Sequence, residues 1–92
     1  NVQNMLKIFP NPAGHRSSVV VTIKQPAKGN LLLTDTKGKI IDSMSISLEQ
    51  GVHEFSLSCL FPQVVFLNSG SYFLTLKTEV KKESVVIVLM NR

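Results

Sequence analysis

The amino-acid sequence predicts an all-β protein, folded as one antiparallel β-sandwich of seven strands. The chain has 92 residues, which is the size of one small domain. Apolar and polar residues alternate with a period of two through nearly every segment, and no convincing amphipathic helix is present. Turn signals rich in Gly, Pro, Asn and Asp separate these short segments. Seven short strands in a chain of this length match the strand count of an immunoglobulin-like fold.

The first half of the chain is expected to contain four strands, at residues 5–9, 18–24, 30–34 and 39–48. Pro10 and Pro12 end the first strand because each removes a backbone donor from the ladder. Asp35 and Gly38 form a hairpin turn between the third and fourth strands, since Asp accepts hydrogen bonds from its own backbone and Gly tolerates a positive φ.

Alternation assigns faces to these strands and to those that follow. Four residues of the fourth strand are expected to share one face, namely Ile40, Met44, Ile46 and Leu48. The second half is expected to have strands at residues 52–57, 71–78 and 85–90, with an irregular apolar stretch at 58–70 and a charged hairpin loop at 80–83. Cys59, the single cysteine, is interpreted as a small buried hydrophobe.

The residues that carry chemistry in enzymes are sparse and scattered. His15 and His53 are the only histidines, without metal-ligand spacing, and nothing orients a third group beside Cys59 and His53. The net charge of +4 comes from 10 basic and 6 acidic side chains, and the lysines are expected mostly near turns, without aromatic residues for stacking on bases. We therefore predict no enzyme, no cofactor, no metal, no nucleic acid and no small-molecule substrate.

Three turn signals follow one another in the order Ile8-Phe9-Pro10-Asn11-Pro12, Asp35-Thr36-Lys37-Gly38-Lys39 and Leu67-Asn68-Ser69-Gly70-Ser71-Tyr72. This series resembles the type IX secretion C-terminal sorting domain (Por secretion system sorting domain) of Bacteroidota. The residues that match the family motifs are Pro10, Asn11, Pro12, Asp35, Gly38, Lys39, Gly70 and Tyr72. Several of them also have a structural interpretation: edge protection by Pro10-Asn11-Pro12, turn formation by Asp35 and Gly38, and a hydroxyl-to-backbone corner at Tyr72.

The resemblance implies a sorting domain at residues 5–92, preceded by a linker remnant of an upstream cargo at residues 1–4. It implies export through the periplasm to the outer membrane, cell surface or extracellular space, by way of the outer-membrane type IX translocon. It also implies possible later removal by a cell-surface sortase, which joins the cargo to a lipopolysaccharide anchor. The chain departs from the family pattern at Phe9, where Tyr is common, in an apolar insertion at 59–68, and in ending on Asn91-Arg92.

The end of the chain is predicted to be the part that the translocon recognises, through Val85, Val86, Ile87, Val88, Leu89, Met90 and Arg92. A strand that is apolar on both faces is either buried in the middle of a sheet or lies at an edge. At an edge, its free N–H and C=O groups would let a receptor add a strand. Two alternatives stay open: an immunoglobulin-like accessory binding or spacer module of a surface enzyme or adhesin, and a unit that self-associates by strand exchange.

Overall fold

The computed structural model describes residues 5–79 and 81–90. These residues contain seven strands: β1 Leu6–Phe9, β2 Ser18–Ile23, β3 Ala27–Thr34, β4 Ile40–Leu48, β5 Gly51–Ser56, β6 Gly70–Thr78 and β7 Lys82–Leu89. A single-turn helix, α1 (Leu57–Leu60), and a 3₁₀ helix (Pro62–Phe66) lie between β5 and β6. Within the described residues, neither helix is long and apolar enough to cross a lipid bilayer.

The strands form two antiparallel sheets, in the orders β1-β2-β5 and β4-β3-β6-β7. This arrangement confirms the predicted seven-stranded sandwich and is compatible with an immunoglobulin-like fold. Alternation places one face of each strand in the core: Val19 and Val21 of β2 are buried against Leu31 of β3 and Leu74 of β6 in one apolar cluster. Burial of this apolar area is the main term that stabilises the sandwich.

The predicted shared face of β4 is wrong at Ile40. The pairing of β3 with β4 shifts between Leu33, which pairs with Asp42, and Thr34, which pairs with Ile40. This irregularity inserts Ile41 as an extra residue, which packs against the core, and turns Ile40 to the outer face with 56% of its surface exposed. A one-residue shift reverses the faces of a strand, and alternation alone does not reveal it.

The stretch between β5 and β6 is helical where the sequence analysis expected an irregular segment. Leu57, expected at the end of a strand, and Leu60 lie on the buried face of α1, while Phe61 and Val64 are buried just after it. Cys59 is exposed, so its interpretation as a buried residue is wrong. In a single turn, residues three apart share a face, and the cysteine between the two leucines points outward.

Two strands begin earlier than the turn signals indicated. β3 begins at Ala27, so Gly29 lies inside the strand. A Cβ atom at this position would collide with the Lys77 carbonyl of β6, so the close approach of the two backbones requires glycine. β7 begins at Lys82, which places both Lys82 and Glu83 in a strand and not in the expected loop. These two β7 residues are therefore held in a fixed register with β6.

Candidate recognition surface

The family motifs meet at one end of the sandwich, although they are far apart in sequence. Within the second sheet, Thr34 at the end of β3 pairs with Phe73, and Gly70 at the start of β6 pairs with Leu89 at the end of β7. Ala13, which follows β1, forms a bridge with Leu89 and so joins the first sheet to the same end. We call this region the motif end; it comprises residues 10–17, 35–39, 57–72 and 86–90.

Asn11 connects the loop after β1 to the last strand. Its Nδ2 donates a hydrogen bond to the Val86 carbonyl (2.9 Å), and its Oδ1 accepts one from the Val88 N–H (2.9 Å). A side-chain amide offers the same donor and acceptor groups as a peptide unit, so Asn11 takes the place of one residue of a neighbouring strand. We call this pair of bonds the Asn11 clamp.

Ala13 continues this contact along β7 with its own backbone. Its N–H donates to the Val88 carbonyl (2.6 Å), and its carbonyl accepts from the Met90 N–H (2.7 Å). β7 is the edge strand of its sheet, as one of the two predicted placements had it. However, four backbone groups that a receptor strand would use are already bonded to the loop: the Val86 carbonyl, the Val88 N–H and carbonyl, and the Met90 N–H. Strand addition there would require that residues 11–13 first move away.

Two polar side chains outside the sequence motifs connect remote backbone segments, one in the motif-end loop and one at the other end of β1 and β7. The first is Ser17, which is 5% exposed; its Oγ accepts from the Gly14 N–H (2.9 Å) and donates to the Pro10 carbonyl (3.2 Å). The bonds from Phe9 to Pro10 and from Asn11 to Pro12 are both cis peptides. No pattern in the sequence marks a buried loop serine, because its partners are backbone atoms whose positions depend on the fold.

The second is Glu83, which fastens the start of β7 to the start of β1. Its two carboxylate oxygens accept hydrogen bonds from the backbone N–H groups of Met5 (3.0 Å) and Leu6 (3.2 Å). Glu83 has the same parity in β7 as the buried Ile87 and Leu89. A charged side chain at an inward position needs a hydrogen-bond partner, so the alternation of β7 could have indicated this structural role for Glu83.

The remaining motif residues have local roles. Asp35 Oδ1 accepts from the N–H groups of Lys37 and Lys39 (2.9 Å each), and Gly38 adopts a φ of 87° in this turn. The hydrogen bond from the Lys39 N–H is the largest cause that lowers the pKa of Asp35 below its ordinary value. Tyr72 Oη donates to the Asn68 carbonyl (2.7 Å), the hydroxyl-to-backbone corner that the sequence suggested.

The motif end also displays apolar side chains to solvent. Of the large apolar residues that are exposed in the described ranges, those at or beside this end are Phe9, Ile40, Val65, Phe66, Val86, Val88 and Met90. Among the described residues only Met44 and Val52 of this kind lie elsewhere, and Phe66 is 85% exposed. Clustered exposed apolar residues are typical of a surface that binds a partner.

The predicted terminal recognition residues divide between the two sides of β7. Ile87 and Leu89 are buried and Val85 packs against the core, whereas Val86, Val88 and Met90 are exposed. Arg92 lies outside the described residues. The exposed members adjoin the Asn11 clamp, so the loop and the last strand present one continuous surface.

The described residues contain no group of three or more His, Cys, Asp and Glu side chains that could hold a metal ion. His15 lies in the motif-end loop, where its carbonyl accepts from the Ser58 N–H. His53 lies in β5, with Nε2 2.7 Å from the Glu49 carbonyl oxygen. An open groove, lined by Lys28 and Asn30 of β3, Ser45 of β4 and Glu79 among others, faces solvent.

Comparison with known families places this geometry in context. The family model described as "Secretion system C-terminal sorting domain" matches residues 7–90, which is nearly the whole chain. No curated protein and no solved structure matches. The matched range includes both partners of the Asn11 clamp, the Asp35 turn and the Tyr72 corner.

Proposed function

Because the chain belongs to the family of type IX secretion C-terminal sorting domains, we propose that its motif end is the surface that the outer-membrane translocon binds. The domain is a sorting signal for type IX secretion, and domains of this kind mark proteins for the outer membrane, the cell surface or the extracellular space. What is new here is the position on the domain at which we propose that the translocon binds.

The Asn11 clamp is the observation that carries the proposal. It joins the Pro10-Asn11-Pro12 motif to Val86 and Val88, so two segments at opposite ends of the sequence form one surface. The translocon then recognises the folded motif end, including the exposed residues of β7, and not an isolated peptide. Exposed apolar residues around the clamp provide the area whose burial stabilises the complex.

We also propose that a cell-surface sortase later removes the domain and transfers the cargo to a lipopolysaccharide anchor. The position of β1 supports this order of events. Met5 and Leu6 lie beside Glu83 at the start of β7, away from the motif end. A translocon that holds the motif end would therefore not need to contact the start of β1, the side from which the cargo is joined.

An export assay tests where the translocon binds. A periplasmic reporter fused ahead of residues 1–92 is expressed in a bacterium with type IX secretion, and the reporter is measured in the periplasm and outside the cell. The variant Phe66→Ser/Val86→Ser removes two exposed apolar side chains from the motif end. We expect this variant to leave most of the reporter in the periplasm.

The matched control is Met44→Ser/Val52→Ser, which removes the two exposed apolar side chains that lie elsewhere in the described ranges. It should be exported like the unaltered domain. Circular dichroism of both purified variants verifies that they fold. Normal export of the folded motif-end variant, or equal loss for both variants, would contradict the proposal. A size decrease of the exported reporter reports sortase removal separately.

A further inference from the structure

The outer face of the second sheet gathers lysines that the sequence analysis had assigned to scattered turns. Lys77 of β6 and Lys82 of β7 are direct cross-strand partners. Both have the parity of outward residues, since Leu76 and Ile87 point into the core. Lys28 lies on the same face of β3, the strand on the other side of β6. All three lysines are exposed.

A pair of like charges at directly opposite positions destabilises a sheet. The hydrogen bonds and ion pairs of the described residues give neither Lys77 nor Lys82 an acidic partner. Glu79 shares the open groove with Lys28, and Glu83, the sequence neighbour of Lys82, points to the opposite face and accepts from Met5 and Leu6. The face therefore keeps an excess of positive charge that an anionic partner would neutralise.

The same face becomes apolar toward the motif end. Phe73 pairs with Val86 on the outer side, and Val88 follows one position further along the outward row of β7. Val86 is 46% and Val88 39% exposed. Lysines at one end and valines at the other thus lie along one strand, β7, within a single sheet surface.

We propose that this outer face binds an anionic lipid surface, with Lys28, Lys77 and Lys82 at the phosphates and Val86 and Val88 at the boundary of the acyl chains. Lysine is depleted at protein–protein interfaces, whereas its long stem places the ammonium group among lipid headgroups while the stem covers apolar surface. The described strands of this face carry no arginine, the residue favoured for bidentate recognition of a protein carboxylate. A lipid surface is thus favoured over an acidic protein.

Vesicle co-sedimentation tests the proposal with the 92-residue chain alone, so its outcome is independent of where the translocon binds. We expect binding to phosphatidylcholine vesicles that contain phosphatidylglycerol, weakening with salt, and little binding to pure phosphatidylcholine. Lys77→Gln/Lys82→Gln should lower the affinity about 25-fold, at roughly fivefold for each lysine. The matched control, Lys7→Gln/Lys24→Gln, removes the same charge from elsewhere in the domain. It should lower the affinity for these vesicles only a few-fold.

Two further measurements distinguish lipid binding from unfolding of the variant and from attraction to any polyanion. The Lys77→Gln/Lys82→Gln variant should melt at the same temperature as the unaltered chain or higher, because it removes a repulsion. Val86→Ser/Val88→Ser should weaken vesicle binding while leaving binding to soluble polyglutamate unchanged. Equal losses for both lysine pairs, equal binding to neutral vesicles, or binding to polyglutamate as tight as to anionic vesicles would overturn the assignment to lipid.

Discussion

The two ends of the sandwich are built in different ways. At the end opposite the motif end, the turn between β6 and β7 is closed locally: the Thr78 N–H donates to the Lys81 carbonyl (2.7 Å), and Thr78 Oγ1 accepts from the Lys81 N–H (3.1 Å). At the motif end, the Asn11 clamp joins positions 77 residues apart. Local bonds form whenever their turn forms, whereas the clamp requires that the last strand has already joined its sheet. The motif end therefore exists only in a completely folded domain.

This difference suits a sorting signal. A recognition surface that depends on both the start and the end of the chain is absent from unfolded or truncated copies. The turn between β6 and β7 carries no such condition, because its hydrogen bonds join neighbouring residues. The remote contact at that end is a different one, made by the Glu83 carboxylate to the N–H groups of Met5 and Leu6, and it lies outside the turn. Three substitution experiments examine the comparison, from the largest expected effect to the smallest.

Phe61→Ala should have the largest effect, because Phe61 is fully buried beneath the motif end, beside Leu57 and Val64 of the core cluster. Truncation of a buried phenylalanine lowers the free energy of unfolding by about 3–5 kcal/mol. Urea denaturation followed by circular dichroism measures the change. Phe66→Ala is the control in the same segment; at 85% exposure it should change stability by less than about 0.5 kcal/mol. A small effect at Phe61 would mean that the segment does not close the core.

Asn11→Ala should lower stability by about 1–3 kcal/mol, since it removes two hydrogen bonds worth about 0.5–1.5 kcal/mol each. Hydrogen exchange at the Val88 amide should accelerate, because that group loses its acceptor. Thr78→Ala is the matched control at the opposite end, where the hydroxyl also takes part in two hydrogen bonds, both with Lys81. It should accelerate exchange at Lys81 and leave Val88 unchanged. Unaltered Val88 exchange in Asn11→Ala would contradict the clamp.

The Asp35 turn should make the smallest contribution, visible as a dependence on pH. Hydrogen bonds from Lys39 and Lys37 lower the pKa of Asp35 in the folded protein, so the folded state binds fewer protons than the unfolded state. The resulting stability is fully present above the unfolded pKa of about 4 and is lost as the pH falls through the lower folded value. Denaturation midpoints measured below pH 5 should decline less steeply in Asp35→Asn. Identical slopes would show that the carboxylate charge does not matter.

The placement of individual residues shows where sequence reasoning succeeds. Val19, Val21 and Ile23 follow a strict alternation, and all three are buried, as a period of two requires. The Asp35 turn and the Tyr72 corner could also be predicted from the sequence, because their hydrogen bonds reach only a few residues along the chain. In contrast, Ile40 and Cys59 were misplaced, since a bulge and one helical turn each break the alternation locally.

The sequence by itself determined the class of fold, the local turns and the family, since each is written in neighbouring residues or in the order of motifs. Only the tertiary structure decided that Asn11 bonds to β7, that Ser17 and Glu83 hold the loop and strand, and that three lysines share one face. The physical reason is distance along the chain. Hydrogen bonds between remote segments depend on sheet order and register, which no local pattern of residues specifies.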